Sequence, residues 1–131
     1  MNVIEIKSCD SQTVLTLSPY SRKPDEILFL AKISAASFSG EVVASTYVSG
    51  PPTTLFEDMA TSWTGWSGAK DWHAIDGDLS FAATITSLGN VTLVVEMSAN
   101  SGGDTLKATL KLEAGSLDRI AHDVRSVFRS E

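Results

Sequence analysis

Two histidines, one cysteine and a spread of aspartates are the side chains here whose types could do chemistry. His73 lies in Asp71-Trp72-His73-Ala74-Ile75-Asp76, where strand alternation puts Asp71, His73 and Ile75 on one face. A carboxylate two residues from an imidazole on that face can accept its N–H and raise its basicity, as a general base requires. Catalysis also needs a nucleophile or metal brought to that base, and no spacing in the chain supplies one. A solvated or loop-packed histidine accounts for the same pattern. His122 follows Asp118 at i, i+4, the spacing of surface neighbours on a helix, so this pair reads as part of a polar helix face. Cys9 is the lone cysteine and can form no intrachain disulfide. With Lys7 its nearest cation, it reads as a structural or incidental thiol rather than a nucleophile.

Metal and phosphate chemistry find less support. The histidines are far apart, and neither His-x-x-x-His nor Cys-x-x-Cys occurs, so there is no zinc signature. Asp71, Asp76 and Asp78 could offer oxygens to calcium, yet an Asp76-Gly77 turn explains Asp76 without an ion. Gly65-x-x-Gly68 lacks the Lys-Ser/Thr and the preceding buried strand of a phosphate loop. There is no Gly-x-Ser-x-Gly nucleophile elbow. The reading leans away from an enzyme, with no metal and no cofactor. The alternative is a small-molecule-binding protein or enzyme whose pocket lies between sheet and helix, with Asp71 and His73 as its polar groups.

All three tryptophans fall between Trp63 and Trp72, in Trp-Thr-Gly-Trp-Ser-Gly-Ala-Lys-Asp-Trp. Indole is large and apolar and carries one N–H donor, so such a cluster forms a core plug or a binding surface. Trp63 closes a helical stripe and is expected in the core. Trp72 alternates with Asp71 and His73 and pairs with Ala74 on the buried face. Trp66 stands between two glycines and is the candidate for partial exposure, the kind of residue that anchors interfaces.

The formal net charge is −6 with a pI near 4.8, so the average field repels phosphate backbones. That argues against nucleic acid as a partner unless Arg119, Arg125 and Arg129 form a local patch. The same field favours basic protein surfaces, though simple solubility accounts for it as well. At 131 residues and 43% hydrophobic, the chain has the size and composition of one globular domain, 1–131. No window approaches 18 apolar residues and the N-terminus lacks a charged n-region, so neither a membrane span nor a signal peptide is expected. One cysteine fits a reducing compartment, and a soluble cytoplasmic protein is the default.

The elements that must position these residues are mostly strands. Val3–Lys7 and Thr13–Leu17 form a hairpin across Cys9-Asp10-Ser11, followed by a loop over Ser18–Asp25 with its two prolines. Glu26–Ser34 has Ile27, Phe29, Ala31 and Ile33 on one face and Leu28 and Leu30 on the other, as in a central strand covered on both faces near its start. Phe38–Val48 alternates again, placing Phe38, Val42, Ala44 and Val48 inward. Thr54-Leu55-Phe56-Glu57 has the form of a capping box, and Leu55, Phe56, Met59, Ala60 and Trp63 form a helical stripe that Gly65 and Gly68 end. Asp71–Ile75, Asp78–Thr86, Val91–Ser98 and Thr105–Glu113 are strands, the last three an antiparallel meander with strict period 2. From Ser116 the period changes: Leu117, Ile120, Ala121, Val124, Val127 and Phe128 share a helical face to the chain end. No internal repeat is visible. The expected fold is α+β: an antiparallel sheet of about seven or eight strands, with one helix mid-chain and one C-terminal helix packed on it.

Trp63-x-x-Trp66-x-Gly68-x-Lys70-x-Trp72, then Gly77-x-Leu79, the Gly89-Asn90 turn and Ala-Gly-x-Leu-Asp-Arg-Ile-Ala at 114–121 resemble a family of small bacterial proteins of unknown function. The likeness spans about residues 26–129. The order of elements is also similar to small immunity proteins that neutralise contact-dependent bacterial toxins. This resemblance implies no catalytic residues. It implies a non-enzymatic inhibitor that acts by protein–protein occlusion, its partner a basic toxin domain. The expected partner-binding residues are Trp66, Asp71, His73, Asp76 and Asp78, the indole excluding water and the carboxylates steering a basic surface. A homodimer through the second faces of Leu28, Leu30, Val43 and Tyr47 is the other protein contact the patterning allows.

Overall fold

The computed structural model describes residues 2–129, and in it the eight expected strands divide into two sheets. The first holds β1 (Ile4–Lys7), β2 (Val14–Lys23), β3 (Glu26–Ser34) and β4 (Ser39–Ser45), antiparallel and in chain order, and is followed by α1 (Thr53–Thr61). The second holds β5 (Lys70–His73), β6 (Leu79–Ile85), β7 (Asn90–Ala99) and β8 (Asp104–Glu113), again in chain order, and is followed by α2 (Leu117–Phe128). One unit, a four-stranded meander and a helix, is thus built twice. The repeat is invisible in the residues because the two halves share a period and a turn spacing, not side-chain identity. The last two positions of the expected terminal helix, Ser130 and Glu131, lie outside the described residues.

Alternation drives each sheet. Ile4 and Ile6, Leu15 and Leu17, and Phe29, Ala31 and Ile33 are all buried on one face of the first sheet. Leu79, Phe81 and Ala83, Val91 through Met97 at every second position, and Leu110 and Leu112 do the same for the second. Both faces feed one continuous core. A run of aromatic rings crosses it: Phe128 meets Phe29 edge-on at 5.0 Å, Phe29 meets Trp72 at 6.1 Å, Trp72 stacks on Phe81 at 5.6 Å, and Phe81 meets Phe56 at 6.1 Å. Those five rings come from α2, β3, β5, β6 and α1, so they join all the layers. Each such pair adds about 0.5–1.5 kcal/mol beyond its buried area.

The sheets cross at a steep angle. Leu106 of β8 sits against Gly40 on β4, where a Cβ would lie 2.8 Å from its Cδ1. Five residues on, the Lys111 amide donates to Ser8 Oγ at 2.9 Å, and its carbonyl accepts from the Cys9 amide at 2.8 Å, just beyond β1. β1 and β4 are opposite borders of the first sheet. Five strand residues span about 17 Å and four strands about 14 Å, so β8 runs across the end of that sheet. A Cβ at Gly40 would oblige the end of the Leu106 side chain to shift.

The helices exchange partners. α1 follows the first sheet but packs on β5 and α2, while α2 follows the second and lies against β1 and β2. Arg22, at the end of β2, donates to the carbonyls of Val127 and Arg129 and so caps the free C-terminal acceptors of α2. Glu57 of α1 pairs with Arg125 of α2.

Four local expectations are corrected. Ser18–Asp25 is not a loop, because β2 continues to Lys23 through Pro19 with a bulge at Tyr20. β1 covers β2 only as far as Leu17, so proline's missing N–H lies where one border of the strand is unpaired. Phe38 and Val48 do not face inward; both are exposed, and Val48 has left the strand with φ 64°. The capping box does not form: Pro52 occupies the N-cap position, Thr54 Oγ1 donates back to Pro51, and Glu57 turns to Arg125 instead. Leu28 and Leu30 are only half-buried, so β3 is not covered on its second face.

Candidate functional site

Of the five residues singled out for partner binding, four belong to the β5–β6 hairpin and the fifth to the connection before it. β5 is the border strand of the second sheet. Its register, Lys70 opposite Ala83 through His73 opposite Ser80, sends Trp72 into the core and leaves Asp71 and His73 exposed on the outer face. The hairpin closes through Ala74 N–H to Leu79 carbonyl at 2.9 Å and Gly77 N–H to Ala74 carbonyl at 3.0 Å. Gly77 takes φ +77°, a conformation that favours glycine, and this puts Asp76 at the exposed tip. Asp78 follows, half-buried, its carbonyl accepting the Ser98 amide at 2.9 Å. Asp71, Asp76 and Asp78 enter no ion pair among the described residues.

Trp66 marks the other end of the strand, about four residues or ~13 Å away. It is half-buried and packs on the core, its Nε1 donating to the Ala83 carbonyl at 3.1 Å. Lys70 Nζ lies 5.5 Å from the centre of its ring and 3.0 Å from Asp58 Oδ2, so the one cation beside this border is already held by a helix carboxylate. Trp72 is 6% exposed and donates to the Gly50 carbonyl at 3.1 Å, as its alternation demands. Trp63 is the correction. It stands outside α1 and is 57% exposed, because the helix ends at Thr61 before the stripe reaches it. Together with Leu88, 86% exposed at the tip of the β6–β7 turn, it lines a shallow depression of about 470 Å³. The sequence carried one signal for this: Gly65 and Gly68 leave no turn of helix beyond Ser62 on which Trp63 could face the core.

Asp71 and His73 are both exposed, opposite Trp72 in the alternation of β5. Asp71 lines a shallow depression with Thr54, Leu55 and Asp58 of α1 and with Lys70, between sheet and helix. The three hairpin aspartates and His73 do not converge into a metal-holding group among the described residues. A cavity of about 540 Å³ lies elsewhere, at the β2–β3 hairpin beside Gly50 and Pro51. Two of the three arginines named as a candidate basic patch are engaged with carboxylates, Arg125 with Glu57 and Arg119 with Asp123 at 3.8 Å. No helix among the described residues is long and apolar enough to cross a membrane. Cys9 is exposed, with its amide tied to β8.

Comparison with known proteins places the chain in a group but not in a reaction. Residues 6–131 match the family of unknown function DUF6228. The chain belongs to that family. No curated protein matches it. Among solved structures, a chain described under crystal structures of Trypanosoma bruciei MRP1/MRP2 is similar at a TM-score of 0.53 and 11% identity, covering 95% of this chain and 84% of that one. At that identity the likeness is one of fold alone. Membership in a family of unknown function agrees with that part of the resemblance drawn from the sequence, and the matched residues begin at 6 rather than at about 26.

Proposed function

We propose that this chain is a non-enzymatic protein-binding module of the bacterial cytoplasm, an immunity-type inhibitor that occludes a basic partner with the β5 border of its second sheet. The observation that supports this reading is the set of Asp71, Asp76 and Asp78, three carboxylates on one hairpin that form no ion pair among the described residues. Unpaired carboxylates along a border raise a local negative potential, adding to the net charge of −6, and speed the approach of a basic surface. β6 of the hairpin is paired along its length with β7, which fixes the strand that the carboxylates flank. Trp66, half-exposed at the far end, offers the apolar contact that a steering field alone lacks. His73 shares the outer face of β5 with Asp71 and makes no side-chain hydrogen bond among those described, so it can accept or donate one to a bound partner.

The test is affinity capture from lysate of the source cell, with the full chain beside a variant carrying Asp71→Lys, Asp76→Lys and Asp78→Lys. One dominant basic protein, retained at low salt and lost in the variant, is the expected result. Equal capture by both chains, or no protein with the unaltered chain, overturns the reading. Thermal melting of the variant within about 2 °C of the parent confirms that the loss is one of charge, since exposed substitutions cost little.

A further inference from the structure

The phase of the β5–β6 ladder decides which main-chain groups of β5 are already used. In an antiparallel pair the two strands bond at every second residue. The Ala74 amide donates to the Leu79 carbonyl, so Ala74, Trp72 and Lys70 are the residues that bond β6. The amides and carbonyls of Asp71 and His73 then point the other way, to the open border of the sheet. None of those four groups has a hydrogen-bond partner among the described residues. The other borders are less free. β1 and β8 meet through the Cys9 amide and the Lys111 carbonyl, and β4 has Leu106 against it at Gly40.

Beside the first half of that border lies a groove of about 380 Å³, with Thr54, Leu55 and Asp58 of α1 on one side and Ala69, Lys70 and Asp71 on the other. An unpaired strand border next to a helix suits the addition of an extended chain, which main-chain bonds hold while alternate side chains enter the groove. The charges choose the occupant. Asp71 stands on the border, Asp76 and Asp78 on the adjoining turn, and Asp58 across the groove. Lys70 is the one cation among the residues lining the groove, and Asp58 holds it at 3.0 Å. The surroundings are therefore acidic, in a chain that carries −6 overall.

We infer that the partner docks by strand addition: an extended segment with Lys or Arg at alternate positions pairs with β5 through the main-chain groups of Asp71 and His73. This rests on the occlusion reading and names the element of the partner that makes the contact. The residue of the added strand beside Asp71 shares its face, and a basic side chain there neutralises the carboxylate, as cross-strand pairs of opposite charge do. A second basic residue, two positions along, comes beside His73 and nearer the turn that carries Asp76 and Asp78. The residues between them turn to the side of Trp72, where Leu55 lines the groove, so small or apolar side chains fit. Two residues of β5 offer four main-chain bonds. So short a pairing gives the segment alone a dissociation constant of roughly 100 µM.

The probe is the acetylated and amidated peptide Thr-Lys-Val-Lys-Val-Lys-Thr, titrated to about 1 mM at low salt against the full chain and followed by amide NMR. In the free chain the Asp71 and His73 amides are expected to exchange fast, unlike those of Trp72 and Ala74, and to slow as the peptide binds. Two further peptides, N-methylated at the lysines or at the valines, keep every charge. Only one of those sets of amides faces β5, so one peptide should lose about tenfold in affinity and the other bind as before. His73→Pro removes an outward amide while leaving the three hairpin aspartates and every bond to β6, and it should weaken binding about tenfold. Slow exchange of both amides in the free chain, no binding at about 1 mM, or the same behaviour from both methylated peptides overturns strand addition. The two readings fail separately. If His73→Pro still captures from lysate the protein that the triple lysine variant loses, occlusion by charge stands and strand addition alone falls.

Discussion

Replacing Trp66 and Trp63 separately with alanine should divide two residues that look equivalent in the chain. Trp66 is half-buried on the core, donates to Ala83 and lies under Lys70. Removing an indole that buries roughly 150 Å² forfeits up to about 4 kcal/mol at about 25 cal/mol per Å², an upper bound on area alone. The lost hydrogen bond adds about 1 kcal/mol and the cation–π contact about 0.5. Neighbouring side chains close part of the gap, and about 3 kcal/mol remains as the net cost. For a chain of this size that is a fall of roughly 12 °C in melting temperature, at about 4 °C per kcal/mol. Trp63 is 57% exposed and makes no side-chain hydrogen bond among those described, so its buried remainder of roughly 100 Å² bounds the loss at about 2.5 kcal/mol, and after partial closure its alanine variant should lose about 1 kcal/mol or roughly 4 °C. Thermal denaturation followed by circular dichroism measures both. If Trp63→Ala proves as costly as Trp66→Ala, or Trp66→Ala melts within about 2 °C of the parent, the assignment of one indole to the core margin and the other to solvent is wrong. The same pair bears on function: a variant at Trp66 alters the fold as well as the surface, so binding is better probed by the hairpin aspartates.

Two further predictions concern the joints of the fold. Ser8 Oγ accepts the Lys111 amide at 2.9 Å and donates to Asp10 at 2.9 Å, linking the two sheets. Ser8→Ala leaves that amide without a partner, costs about 1–2 kcal/mol, and should raise hydrogen exchange at Lys111 more than at the strand centres; unchanged exchange there would refute the bridge. Val48 holds φ 64°, where a β-branched side chain is strained, and is 75% exposed. Val48→Gly should raise stability by about 1 kcal/mol in urea denaturation, and a loss of stability would show that the valine is held by contacts rather than tolerated.

Much of the fold was legible in the chain. Phe81, Val95 and Leu110 sit where strict alternation puts them, since a half-solvated strand writes its two faces directly into the order of residues. The closing helix was equally plain, because Leu117 through Phe128 keep the 3.6-residue period against a charged face. Other features were hidden because their cause is distant. Pro19 reads as a loop residue until β1 stops at Leu17 and leaves one border of β2 unpaired. Thr54 and Glu57 fit a capping box, yet Arg125, far along the chain, takes the glutamate. Trp63 fits the α1 stripe and misses the core only because the helix ends at Thr61.

The candidate site divides the same way. That Asp71 and His73 share a face opposite Trp72 follows from the chain alone, because side chains alternate on any strand whatever it packs against. Which side of the molecule that face looks toward does not follow, and the structure leaves both side chains exposed, Asp71 beside Thr54 and Asp58 of α1. The chain likewise pointed to about seven or eight strands, two helices, most of their inward residues and an acidic surface, all set by local period and composition. Only tertiary structure decided that the strands part into two sheets and that β8 crosses the first at Gly40. It also decided that each helix packs on the opposite unit. Period reports which residues must leave water; it carries no information about which buried surface will receive them.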